Sequence, residues 1–173
     1  MLSEPLTLYK LMILYLLKQA KFPLSNSQMA DFFLDKEYTT YFTLQQALNE
    51  LLEAHLIKQE TVRNSSRYEL TREGEETLVF FGHTISDGII ADMNTFLQEN
   101  KIRLRSEAGV RADYYKTTNQ DYIVECEVRE GKNIVIRLEL AVPDAEQAEL
   151  MCDRWQEANQ PIYAFVMGEL LKS

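Results

Sequence analysis

Within the first eighty or so residues the apolar spacing changes period in a fixed order. Three helix-period segments come first, then two short strand-period segments about a polar turn, then a fourth helix opened by Leu70-Thr71-Arg72-Glu73-Gly74. Few small folds accommodate that order. The first segment, about residues 6 to 20, places Leu8, Leu11, Met12, Tyr15 and Leu16 on one face at i, i+3, i+4, i+7 and i+8. Phe22-Pro23 ends it. Ser25 and Gln28 then fit a capping box, in which the serine accepts from a backbone N–H and the glutamine reaches back, opening a helix with Met29, Phe32 and Phe33.

The turn 35 to 38 leads to a third helix capped by Thr39 or Thr40 and running to about residue 54. Tyr41, Leu44, Leu48, Leu51, Leu52 and His55 share one side; Phe42, Thr43, Gln46, Asn49, Glu50 and Glu53 share the other. A lone histidine at the end of an apolar stripe reads as a packed or capping residue and not a metal ligand. Strands at about 57 to 62 and 67 to 70 flank the turn formers Arg63-Asn64-Ser65-Ser66. Thr71 caps the next helix, which ends in the apolar run Leu78, Val79, Phe80, Phe81 and requires something to pack against. Two helices joined by a short turn, a supporting helix and a β-hairpin wing make a winged helix-turn-helix, a nucleic-acid-recognition module.

Past Gly82 the pattern resets, and the domain boundary is placed there, giving domains 1–81 and 82–173. Ile85, Ile89, Ile90, Met93, Phe96 and Leu97 mark a helix ending near residue 100. Strands are expected at about 110 to 116, 121 to 129 and 133 to 142. Tyr122, Val124, Cys126 and Val128 alternate with more polar neighbours, as do Ile134, Ile136, Leu138, Leu140 and Val142. A three-residue Glu130-Gly131-Lys132 loop would set Val128 opposite Ile134, Cys126 opposite Ile136 and Glu125 opposite Arg137. Asp144 caps a helix to about residue 159, and Pro161 is expected to open a last strand, 162 to 167. The fold class is therefore α+β: an N-terminal winged helix-turn-helix followed by an αβββαβ domain with a mainly antiparallel sheet.

Charge limits what the first domain can bind. The chain carries 18 Lys and Arg against 27 Asp and Glu, a formal charge of −9. Residues 1 to 81 hold 8 basic and 11 acidic groups and residues 82 to 173 hold 10 and 16, so neither half attracts phosphate as a whole. No Lys or Arg lies between Tyr38 and Ile57, where the recognition helix falls. DNA contact must come from a local surface. Gln46 and Asn49 have the amides that bond adenine bidentately, and Thr39, Thr40 and Thr43 stand near the helix start for phosphate. Phe42 shares that face, and the wing offers Arg63, Asn64 and Arg67 with Lys58 and Arg72 behind. Because so few cations give a shallow salt slope, a homodimer is expected, with apolar surface at Leu78–Phe81 and at Ile85, Ile89, Ile90 and Met93 as candidate interfaces.

Enzyme signatures do not occur: there is no GxxxxGK[ST] or GxGxxG loop, no GxSxG elbow and no HExxH helix. Glu125, Glu127 and Glu139, balanced by Arg129 and Arg137, read as a solvated sheet face and not as an acid–base pair. His83 has no ligand-spaced neighbours, and Cys126 and Cys152 read as buried reduced thiols. No catalytic residue, metal or cofactor is expected. The N-terminus lacks signal-peptide organisation and no apolar run approaches the ~20 residues of a membrane span, so a cytoplasmic protein without membrane contact is expected.

The runs Tyr41-Phe42-Thr43-Leu44-Gln45-Gln46-Ala47-Leu48-Asn49-Glu50-Leu51 and Tyr68-Glu69-Leu70-Thr71-Arg72-Glu73-Gly74 resemble the domain-of-unknown-function family 4364 of Gram-positive bacteria. The likeness covers the whole chain. It implies a winged-helix protein of the transcription-regulator kind with no established ligand or activity; the Leu-Thr-x-x-Gly element is shared with MarR- and PadR-type regulators. The expectation is a dimeric winged-helix transcription regulator that binds DNA. Its rival is a protein–protein interaction module whose acidic recognition face, with Glu50 and Glu53, docks a protein partner.

Overall fold

The computed structural model describes residues 4–63 and 65–173. They divide into two compact units, Met1–Ala108 and Gly109–Ser173. Residues 82 to 108, assigned from the sequence to the second domain, therefore belong with the first. The reason is apolar: Ile85, Met93 and Leu104 are buried in the same core as Met12, Phe32, Leu44 and Leu51.

The first unit is built around α1 (Glu4–Ala20). Its Leu11, Met12, Ile13, Leu14, Leu16 and Leu17 are all buried, so it is enclosed and not merely amphipathic. Then come β1 (Leu24–Ser25), α2 (Asn26–Asp35) and α3 (Tyr41–Glu53). The capping box at Ser25 and Gln28 is present, with Gln28 N–H donating to Ser25 Oγ at 3.1 Å and Ser25 N–H to Gln28 Oε1 at 2.9 Å. The hairpin is β2 (Ile57–Val62) and β3 (Ser65–Leu70), and β1 adds to β3 to make an antiparallel sheet in the order β1-β3-β2. Val62 pairs with Ser65, so the turn is two residues and not four; Arg63 there has a φ of 55°. The two-residue strand β1 is too short to leave a periodic signal in the sequence.

The unit closes with α4 (Arg72–Phe81), a turn of 3₁₀ helix at Gly82–Thr84, α5 (Asp87–Glu99) and α6 (Lys101–Gly109). The sequence reading missed α6 because its pattern is faint: Leu104 is fully buried but Ile102 is 83% exposed. Of the apolar run 78 to 81, Leu78 packs on this core and the other three do not. Val79, Phe80 and Phe81 are 80%, 75% and 52% exposed. Ile89 and Ile90, by contrast, pack on the core of the unit.

The second unit is an antiparallel sheet in the order β4-β5-β6, from β4 (Val110–Lys116), β5 (Tyr122–Glu130) and β6 (Asn133–Val142), with one long helix α7 (Ala145–Leu170). Trp155, Cys152 and Ala148 on α7 meet Val124 and Cys126 on β5 in a small core. Two expectations fail here. Pro161 does not open a strand; it lies inside α7, so the second unit is three strands followed by one helix, without the expected last strand. A proline in a helix loses one hydrogen bond, and buried Asn159 strengthens the turn before it by donating to the carbonyls of Trp155 and Gln156, both at 2.8 Å. The hairpin register also differs by two residues: Val128 faces Ile136, Cys126 faces Leu138 and Glu125 faces Glu139, with Arg137 opposite Glu127. Glu130 pairs Asn133 about a two-residue Gly131-Lys132 turn, and a bulge between Val128 and Arg129 takes up the extra residue. A shift of two keeps every side chain on its expected face.

Candidate nucleic-acid interface

Backbone hydrogen bonds place α3. α2 ends in a bonded cap in which Glu37 N–H donates to Leu34 O and Tyr38 N–H to Phe33 O, with Glu37 in the left-handed region at φ 58°. α3 ends the same way: His55, at φ 59°, donates its N–H to Leu52 O, and Leu56 N–H reaches Leu51 O. His55 is thus an exposed cap residue and not part of the buried stripe. At the start of α3, Thr40 Oγ1 accepts from Thr43 N–H at 3.3 Å.

Thr71 ties hairpin to helix. Its N–H donates to Leu56 O at 3.1 Å, its hydroxyl to His55 O at 2.7 Å, and its Oγ1 accepts from Gly74 N–H at 3.0 Å. A Cβ on Gly74 would lie 2.0 Å from Leu56 O. The Leu-Thr-x-x-Gly element is therefore a crossing of α4 over the end of α3 that only glycine permits.

With Leu44, Ala47, Leu48 and Leu51 buried, α3 presents Phe42, Gln46, Asn49 and Glu53 to solvent, Phe42 at 85% exposure and Tyr41 at 52%. Thr39 and Thr43 are half-buried and Thr40 is exposed, all at the helix start. The acidity of this face is less than the sequence indicated. Glu50 Oε1 accepts from Lys10 Nζ of α1 at 2.7 Å, and that ammonium holds the Glu50 carboxyl below its usual range. Gln46 Nε2 donates to Glu50 Oε2 at 3.1 Å, which leaves its second N–H and its Oε1 for an outside partner.

The β2–β3 hairpin supplies less charge than expected of a wing. Arg67 is 9% exposed and donates from Nη1 to Ala108 O at 2.6 Å, holding α6 against β3; it is a structural residue, and its expected phosphate contact is corrected accordingly. Burying a guanidinium requires such partners. Lys58 is exposed but paired with Glu69 directly across the hairpin at 3.1 Å, and Arg72 pairs with Glu76 at 3.5 Å. Arg63 stands half-buried at the turn, and Asn64 lies outside the described residues.

Among the described residues, no group of three or more His, Cys, Asp or Glu could hold a metal ion, and no helix is long and apolar enough to cross a membrane. A family model described as a domain of unknown function, DUF4364, matches residues 9–170. No curated protein and no solved structure matches the chain.

Proposed function

Because the chain belongs to the DUF4364 family, whose description carries no activity, we propose from its own residues that it is a winged-helix transcription regulator that binds DNA, as a dimer, through α3. One observation carries this reading: α3 stands out with Gln46 and Asn49 one turn apart and exposed, while the carboxylate beside them is neutralised by Lys10. Two amides at that spacing on a helix fit the donor–acceptor edge of adenine in a major groove. Thr40 and Thr43 lie at the helix N-terminus, where phosphate oxygens are favoured. With Arg67 turned inward, α3 and not the wing does the reading, so binding by one copy is weak and a second copy completes it.

The test is fluorescence anisotropy against random and selected duplexes over a range of salt. Gln46→Ala is expected to relax preference at one base pair by about 1–3 kcal/mol, with Arg63→Ala lowering affinity on all sequences alike. No binding at low salt, or an equal loss on every duplex for Gln46→Ala, overturns the reading. A second reading has its own support. Phe42 at 85% exposure beside Tyr41 is an aromatic anchor of the kind that protein interfaces bury, and Glu53 adds negative charge that suits a basic partner. Phe42→Ala that abolishes capture of a protein while DNA is never bound would favour it.

A further inference from the structure

We propose that the exposed edge of β6 joins two copies of this chain into one continuous sheet, with the two-fold axis passing through Leu138. β6 is the outer strand of its sheet, and among the described residues it bonds to β5 alone. A ten-residue edge strand with no proline or lysine is an open template for another strand. The opposite edge is blunted: on β4 the Tyr114 N–H is taken by the Asp113 carboxylate at 2.8 Å, and Gln156 Nε2 of α7 reaches Val110 O at 3.4 Å.

The sequence of β6 selects the occupant. Antiparallel pairing about Leu138 sets Leu138 against its own copy on the axis, Ile136 against the other copy's Leu140, and Arg137 against the other copy's Glu139, the last two contacts each made twice. Centring one residue earlier or later would set Arg137 against Arg137 or Glu139 against Glu139. Only the Leu138 centre pairs every charge. It also relieves an imbalance within one copy: Glu125 and Glu139 lie directly opposite each other, and Arg137 serves both at 3.7 and 3.6 Å. Like charges directly opposite on a sheet are destabilising, and a second Arg137 beside Glu139 offsets them.

Burial agrees. Leu140 faces the same side as fully buried Val124, yet is 42% exposed, because α7 lies over β4 and β5 more than over β6. In the joined sheet the apolar residues of the two β6 strands cover one another. The inference rests on the dimeric part of the reading above and names its surface; it needs no DNA.

The experiment is sedimentation equilibrium of the full chain, with folding checked by circular dichroism. Wild type is expected to be a dimer at micromolar concentration. Arg137→Glu and Glu139→Arg, each alone, place like charges across the seam twice and should weaken self-association roughly thirtyfold. Mixed in equal amounts, the two variants restore both opposite-charge pairs and should form a heterodimer. A monomeric wild type overturns both this inference and the dimeric reading. A dimeric wild type whose two variants stay dimeric overturns the β6 seam and leaves the dimeric reading standing. Should either variant fail to fold, Leu138→Cys decides the matter in a Cys126→Ala, Cys152→Ala background, since Cys126 lies directly across from Leu138 on β5 and would otherwise compete for the new thiol: on oxidation it should form a cross-linked dimer through paired Cα atoms within disulfide reach, while the cysteine-free background should not. Absence of the cross-link overturns the seam.

Discussion

Replacing Gly74 by alanine sets two effects of opposite sign against each other. In an open helix the change would stabilise by up to about 1 kcal/mol, since glycine has the greater backbone freedom to lose. Here the new Cβ falls 2.0 Å from Leu56 O and 2.8 Å from Leu70 Cδ1. Reaching ordinary van der Waals separation from the carbonyl requires a shift of more than about 1 Å. Such a shift breaks the bonds from Thr71 N–H to Leu56 O and from the Thr71 hydroxyl to His55 O, now 3.1 and 2.7 Å. Each is worth about 1 kcal/mol, and overpacking against Leu70 adds about 1–3. The net loss is about 2–4 kcal/mol, on the order of 10–20 °C in Tm for a unit of this size. Urea unfolding followed by far-ultraviolet circular dichroism measures it directly. Fluorescence of Trp155, the only tryptophan, follows the core of the second unit separately. A Gly74→Ala protein as stable as wild type, or more so, would refute the steric argument and leave helix propensity as the whole effect.

Glu37→Gly and His55→Gly relieve side chains held at φ 58° and 59°, where a Cβ costs about 1–2 kcal/mol; each should raise the urea midpoint of the first unit by the equivalent of about 0.5–1 kcal/mol after glycine's added unfolded-state freedom. Burial, with Cys152 nearby, pushes the Cys126 thiol up to about 11 from its ordinary 9.0. The unfolded thiol therefore ionises first as pH rises, so this contribution to stability is full below about pH 9 and is lost toward pH 11. Cys126→Ala should flatten that part of a plot of urea midpoint against pH, and an unaltered slope would contradict the assignment. The same burial should keep Cys126 unreactive to alkylating reagents at pH 8 until the protein is unfolded.

What could be read from the sequence follows from where the information resides. The capping box at Ser25 and Gln28, the buried stripe of α3 and the Thr71 cap are local rules acting over three or four residues, and each recurs in the structure. The alternation in β5 and β6 survived a two-residue error in register because strand period is two. What was not legible depends on distant partners. Arg67 reads as a wing cation until Ala108, forty-one residues away, takes its guanidinium. Glu50 reads as an acidic obstacle until Lys10 neutralises it from forty residues upstream. Leu104 alone cannot announce α6, and Pro161 reads as a helix stop although the helix continues through it. Met93 joined the first core because of what α1 and α2 left uncovered, which no window of local sequence contains.

The paired caps on either side of α3 also fix how the segment tolerates insertion and deletion. Both ends are closed by backbone hydrogen bonds on left-handed residues, Glu37 before the helix and His55 after it, so neither end can slide to absorb an added residue. One residue inserted between Leu44 and Gln46 would turn everything beyond it by about 100° about the helix axis. Gln46 and Asn49 would swing toward the core as Leu48 and Leu51 left it. An added residue is therefore tolerated at the hairpin turn between β2 and β3 and not within the thirteen residues of α3 or the capped turns on either side of it.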